Sequence, residues 1–176
     1  MSSALTPRPR IIGPKVRICV VATKYEDGLP EVPFANALVE NTVEELSELL
    51  PQGRVDLIRV PGIFEIPVTM ANILDRSAPA CMIALGVLFR SSTNNPDILA
   101  KSVTDSLQAL AIEHKLPIIH EVLLVEDEKQ AYAYSIGAKL NRGRKAARAA
   151  ASMIDIFQEL DRTMPKTIPP QTRREA

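Results

Sequence analysis

Four times in succession a short run rich in apolar and β-branched residues gives way to a longer segment whose apolar positions recur at helical spacing. Residues 16–22, Val-Arg-Ile-Cys-Val-Val-Ala, read as a strand, and residues 34–50 read as a helix with Glu40, Glu44, Glu45 and Glu48 turned outward. The unit recurs as strand 55–60 with helix 65–75, strand 81–88 with helix 97–114, and strand 117–125 with helices around 128–136 and 141–160. Successive βα units of this length predict an α/β fold, a four-stranded parallel sheet flanked by helices on both faces and joined by right-handed crossovers. No sequence repeat of fixed period accompanies this alternation, which argues against a solenoid.

The 176 residues suit one domain with tails. Residues 1–15, with three prolines and no hydrophobic period, read as an N-terminal arm; 16–161 form the domain; 162–176 form a polar C-terminal tail. Lysine plus arginine equals aspartate plus glutamate at 21 each, so the general cationic field of a nucleic-acid binder is missing. A basic segment, Lys139, Arg142, Arg144, Lys145 and Arg148, reads either as a solvated helical face or as a partner for an anion or for the acidic 40–48 face. The longest uncharged apolar run, 77–89, falls short of the roughly 20 residues that a membrane-spanning helix needs. Residues 1–10 do not read as a secretory signal, and the expected location is cytoplasmic. Cys19 and Cys81 lie in β-branched runs and read as core rather than redox residues, and two histidines, His114 and His120, do not suggest a metal centre.

Ligands of open parallel sheets bind outside the carboxyl ends of the strands, which directs attention to loops 23–33, 61–64, 89–96 and 126–128. In the third loop Arg90, Ser91, Ser92 and Thr93 precede a helix start, where unpaired N–H groups favour an anion such as phosphate. The plainer reading is an Asn95 cap, Pro96 in the first helical position and Asp97 complementing the dipole. In the second loop Gly62 permits a sharp turn that leaves backbone N–H groups facing the crevice, Phe64 is either core or a ring lining a planar ligand, and Glu65 supports a helix start. In the first loop Tyr25 offers a stacking surface, with Glu26 and Asp27 as solvated turn residues.

Three segments taken together, Val60-Pro-Gly-Ile-Phe-Glu-Ile-Pro67, Ala84-Leu-Gly-Val-Leu-Phe-Arg-Ser-Ser-Thr93 and Asn141-Arg-Gly-Arg-Lys-Ala-Ala147, resemble the lumazine synthase family over residues 16–160. The resemblance implies a three-layer flavodoxin-like sandwich. It also implies condensation of 5-amino-6-ribitylaminouracil with 3,4-dihydroxy-2-butanone 4-phosphate, releasing phosphate and two waters without metal or redox cofactor. The sites would lie between adjacent subunits of a homo-oligomer, a pentamer or an icosahedral shell of pentamers, with no nucleic-acid or membrane partner. On this resemblance Tyr25 stacks on the heterocycle, and Gly62, Ile63, Phe64 and Glu65 hold the ribityl chain. Val87 and Leu88 lie beside the pyrimidine, and Ser91, Ser92 and Thr93, with Arg90, form the phosphate loop. The N-terminal arm would add a strand to a neighbouring subunit's sheet.

Three positions depart from the family pattern. Asn95 stands where the family has a proton-shuttling histidine, and an amide does not titrate near neutral pH. Tyr134 stands where the family has a phosphate-pairing arginine, and a neutral phenol is no substitute for a bidentate cation. His120, followed by Glu121, stands where the family's phenylalanine covers the pyrimidine from the neighbouring subunit. Two expectations follow: a divergent synthase, with His120 supplying a displaced imidazole, or a paralogue that binds another ligand, catalyses another reaction or serves as an assembly component.

Overall fold

The computed structural model describes residues 5–13, 15–25, 33–91 and 94–164. Its elements alternate as expected: β1 (Arg17–Thr23), α1 (Pro33–Leu49), β2 (Arg54–Val60), α2 (Glu65–Arg76), β3 (Cys81–Phe89), α3 (Pro96–His114), β4 (Ile118–Val125), α4 (Glu128–Ser135) and α5 (Arg142–Thr163). The four strands form one parallel sheet in the order β2-β1-β3-β4. This is a flavodoxin-like α/β arrangement. The sheet reaches further than the sequence pattern indicates, because Thr23 pairs with Val60, and Phe89 pairs with Val125.

The central strands explain the long apolar runs. Every residue of β3 is buried, as a strand covered by helices on both faces requires. Alternate side chains feed two cores: Val20, Ile83, Leu85 and Leu123 pack towards α1 and α5, whereas Val21, Met82, Ala84 and Val122 pack towards α2 and α3. Two central strands, β1 and β3, thus anchor both layers, and their carboxyl ends hold the first and third loops, while the second follows the edge strand β2.

The contact between α1 and α5 is the closest in the molecule to having no slack. Helix α5 presents Gly143, Ala146, Ala147, Ala150 and Ala151 as a buried small-residue face. A Cβ placed on Gly143 would lie 2.6 Å from the Leu38 carbonyl oxygen. Beside it the buried Thr42 hydroxyl bridges the Leu38 and Gly143 carbonyl oxygens at 2.7 and 3.1 Å. Asn141 caps α5 by accepting the Arg144 N–H at 2.9 Å. From there α5 runs back along the sheet, and its last turns meet Pro79, Ala80, Lys115 and Pro117, which precede β3 and β4.

Residues 5–13 lie along α1 and α5 of their own chain. The Ile12 side chain is buried and its N–H donates to the Leu49 carbonyl at 2.8 Å. Arg8 donates to Glu45 at 2.9 Å and also to Glu48, and Arg148 donates to Glu45 at 2.8 Å and to the Thr6 carbonyl. Arg10 pairs with Asp155 at 2.8 Å. Pro7 and Pro9 have no N–H to give a sheet, whereas the intervening arginines have carboxylates within reach.

Glu45 is the hub of this strap, with its side chain only 3% exposed. Burial pushes its carboxyl up, but the hydrogen bonds from Arg8 and Arg148 outweigh burial and hold it below the usual carboxylate range. Glu45→Gln is expected to destabilise the chain by about 2 kcal/mol at pH 7, the range for breaking a largely buried pair discounted for the exposure of Arg8. Because the folded value is depressed, the contribution is present above the unfolded value of about 4.5 and fades as pH falls through the folded one. Urea titrations of both proteins should therefore converge on acidification below pH 4.5; a constant gap would show that the carboxylate is not the source.

Candidate active site

The first two loops are stitched together at the sheet's carboxyl edge. Lys24 N–H donates to the Val60 carbonyl at 2.5 Å and Tyr25 N–H to the Pro61 carbonyl at 3.2 Å. Tyr25 remains 58% exposed, with the Lys24 ammonium 5.3 Å from its ring centroid. One ring face is therefore shared with a cation, leaving the rest of the ring for a planar ligand.

The second loop divides its residues between support and contact. The Gly62 N–H donates to the Glu65 carboxylate at 2.9 Å, which ties the turn to the first residue of α2. Ile63 is buried, 2.9 Å from the point where a Cβ on Gly86 would sit, so that β3 must lack a side chain there for the loop to close. Phe64, by contrast, is 63% exposed, which excludes the core reading of this residue. Phe64 and Glu65 form one end of a cleft of about 450 Å3 that runs between α2 and α3 past Val68, Ser102 and Ser106. Val87 and Leu88 are buried in β3, and only their backbone is available at the strand end.

The third loop is electrostatically closed. Arg90 donates through Nη1 to both Asp97 carboxylate oxygens at 2.7 and 2.8 Å and through Nε to Glu126 at 2.6 Å. Asn95 occupies the N-cap position of α3 without making a side-chain cap bond, Pro96 follows it, and Asp97 stands in the first turn. Ser91 is exposed, while Ser92 and Thr93 lie outside the described residues. The sequence pattern does not reveal that the loop arginine is claimed by two carboxylates.

At the β4 edge, alternation sends His120 and Glu121 to opposite faces of the sheet. The His120 Nε2 lies 2.8 Å from the Thr104 hydroxyl on α3, and that hydroxyl donates onward to the Ala100 carbonyl. Burial pushes the His120 imidazolium down, and Arg142 adds to this, so the ring is neutral at pH 7. Glu121 is 5% exposed and accepts from Arg142 at 2.6 Å; the Arg142 guanidinium in turn lies 5.9 Å from the Tyr134 ring centroid. Burial raises the Glu121 carboxyl, opposed by Arg142 and Lys145. His120, Glu121, Tyr134 and Arg142 line a hollow of about 270 Å3. Its missing sequence signal was available in principle: a glutamate interrupting an apolar strand needs a cation from the helix packed over it.

The basic segment finds acidic neighbours on the chain itself, Arg148 on Glu45, Arg144 on Glu44 at 3.4 Å, and Arg142 on Glu121. Cys19 and Cys81 are buried and reduced, and burial pushes both thiols up, away from nucleophilic chemistry.

A sequence model of the family described as 6,7-dimethyl-8-ribityllumazine synthase matches residues 15–158, nearly the whole described domain. The chain belongs to the lumazine synthase family. It is 34% identical over 151 residues to 6,7-dimethyl-8-ribityllumazine synthase of Pyrococcus furiosus, covering 84% of this chain and 89% of the relative. The enzyme of the same description from Methylobacterium radiotolerans is 31% identical over 150 residues, 85% of this chain and 87% of that one. That from Burkholderia ambifaria is 30% identical over 155 residues, 88% and 85% respectively. Within this lumazine synthase fold, Tyr25, Phe64 and Glu65 stand at the carboxyl end of the sheet, and His120 stands at its open edge.

Proposed function

We propose that this lumazine synthase relative binds a ribitylaminopyrimidinedione at the carboxyl end of its sheet and condenses it with a four-carbon carbonyl compound to form a ribityllumazine. The reading is supported chiefly by the second loop, where the Glu65 carboxylate is held by the Gly62 N–H beside the exposed Phe64 ring, a polar and flat surface suited to a ribityl chain and its heterocycle. Tyr25 stacks on the heterocycle, and the Val87 and Leu88 backbone borders it. The site is shared between adjacent subunits of a homo-oligomer, a pentamer or a larger assembly, with His120 presented from the β4 edge of the neighbour.

The family's four-carbon partner is 3,4-dihydroxy-2-butanone 4-phosphate, which would meet Arg90, Ser91, Ser92 and Thr93. With that partner one amine condenses with the carbonyl, a proton leaves carbon, phosphate departs and the second amine closes the ring with loss of water; positioning advances each of these steps, so loss of a proton shuttle at Asn95 does not abolish turnover. A second reading, a cytoplasmic assembly protein that binds ligand without transferring anything, is favoured by Asn95 and Tyr134 standing where the family titrates and pairs phosphate.

Binding of a 6-ribitylaminopyrimidinedione lacking the 5-amino group, which cannot condense, tests the shared part of both readings. Tyr25→Ala is expected to weaken that binding by roughly tenfold, the stacking contribution of one ring. Calorimetry showing equal affinity would remove Tyr25 from the site. His120→Gln should lower lumazine formation far more than His114→Gln, and equal effects would deny His120 a role.

A further inference from the structure

The ligand end of this sheet is acidic. Among the described residues of the four strand-end loops, Lys24 and Arg90 are the only cations, against the carboxylates Glu126, Asp127 and Glu128. Of those two cations, Arg90 is held by Asp97 and Glu126, and Lys24 lies over Tyr25. The start of α3, where a phosphate would seek N–H groups and a dipole, already has Asp97 in its first turn. At the β4 edge the guanidinium of Arg142 is neutralised by the buried Glu121. A phosphate dianion entering either place meets a guanidinium whose charge is already matched by carboxylates.

Chemistry points the same way. A ketose phosphate reaches the oxidation level of the product only after a proton leaves carbon and phosphate departs, the two operations that a histidine and an arginine assist. A vicinal dicarbonyl compound is already at that level and needs neither. Resting on the reading that the pyrimidine site is retained, we propose that the four-carbon partner of this chain is an uncharged vicinal dicarbonyl compound and not a phosphate ester. The two amine nitrogens of the pyrimidine each form a bond to one carbonyl carbon, each carbonyl oxygen leaves as water, no electrons are transferred and no phosphate is released. Butane-2,3-dione then gives the same lumazine as the phosphate ester. Asn95 and Tyr134 fit this substrate, because there is no carbon acid to deprotonate and no leaving phosphate to pair.

The test is a competition of partners on the full-length assembled protein. Lumazine absorbance is followed with 5-amino-6-ribitylaminouracil and either butane-2,3-dione or 3,4-dihydroxy-2-butanone 4-phosphate, each against its uncatalysed background. The expected kcat/KM favours the diketone by about tenfold or more, with no inhibition by inorganic phosphate, since like charges brought together are strongly disfavoured. Equal or better use of the phosphate ester overturns the proposal. So does failure of both partners while the non-condensable pyrimidine still binds, an outcome that leaves the pyrimidine site standing; if that pyrimidine does not bind, the proposed function itself falls and takes the dicarbonyl with it. Glu121→Gln, which releases Arg142, should make inorganic phosphate an inhibitor. The pair Asn95→His with Tyr134→Arg should shift the partner ratio towards the phosphate ester, a change that a purely structural role would not produce.

Discussion

Replacing Arg142 with methionine is expected to lower the free energy of unfolding at pH 7 by about 3 kcal/mol, because it leaves the buried Glu121 carboxylate without its hydrogen-bonded cation and with only the more distant charge of Lys145. Glu121 is 5% exposed and Arg142 is its one hydrogen-bonded cation among the described residues, at 2.6 Å. The folded-state carboxyl is shifted in the direction opposite to that of Glu45, although the gap closes on acidification in both cases. Burial already raises the folded-state value of Glu121 above the unfolded value near 4.5, and removal of Arg142 raises it further. A carboxyl with a raised folded value destabilises the fold when ionised, so the gap between variant and wild type should be wider at pH 7 than in acid and shrink as pH falls towards 4.5. Paired denaturant titrations along that range check it. A gap that stays constant on acidification would mean that Arg142 stabilises by packing against Tyr134 rather than by charge.

Gly143→Ala should cost about 2–3 kcal/mol even though alanine is the better helix former by roughly 1 kcal/mol, because the added methyl meets backbone rather than a yielding side chain. Its Cβ would stand 2.6 Å from the Leu38 carbonyl oxygen, with Asn41 Cβ and Thr42 Oγ1 both at 3.1 Å. Relief would require α5 to move off α1, which would stretch the bridge from the Thr42 hydroxyl to both helices. For a chain of this size the loss corresponds to a Tm lower by roughly 5–10 °C, read at one fixed protein concentration because oligomers melt by mass action. An unchanged or higher Tm would show that the helices separate without penalty.

The alternation of β-branched runs with helical periods was sufficient to predict the order of the elements, because burial on both faces leaves a strand no room for polar residues. Its limits were set wherever long-range charge intervenes. Arg8 is 37 residues from Glu45, and Arg148 is 103 from it; no local period encodes such a pair. The arm therefore read as a loose segment, although its arginines meet a buried carboxylate. Phe64 and Ile63 illustrate the same point at one residue's resolution: both are apolar and adjacent, yet the loop turns Ile63 under Gly86 and Phe64 outward. The resemblance led us to expect Tyr25 and the second loop to face the ligand, and both Tyr25 and Phe64 are exposed at the carboxyl end of the sheet. It gave no warning that Asp97, Glu126 and Glu121 would occupy the arginines nearest to them.

The course of α5 also determines how the protein can be held. The helix begins beside the hollow at the β4 edge and ends near Pro79 and Lys115, at the far end of the sheet from the loops. Residues 6–10 lie against Arg148 and Asp155 along that same helix. A tether or reporter joined after residue 164 therefore starts from the face opposite the ligand loops and leaves them open to solution. One joined at the N-terminus pulls instead on the strap whose hub is Glu45. Biosensor immobilisation at residue 164 should leave the candidate ligand loops accessible, whereas anchoring at residue 5 applies its load to the ion pairs around Glu45.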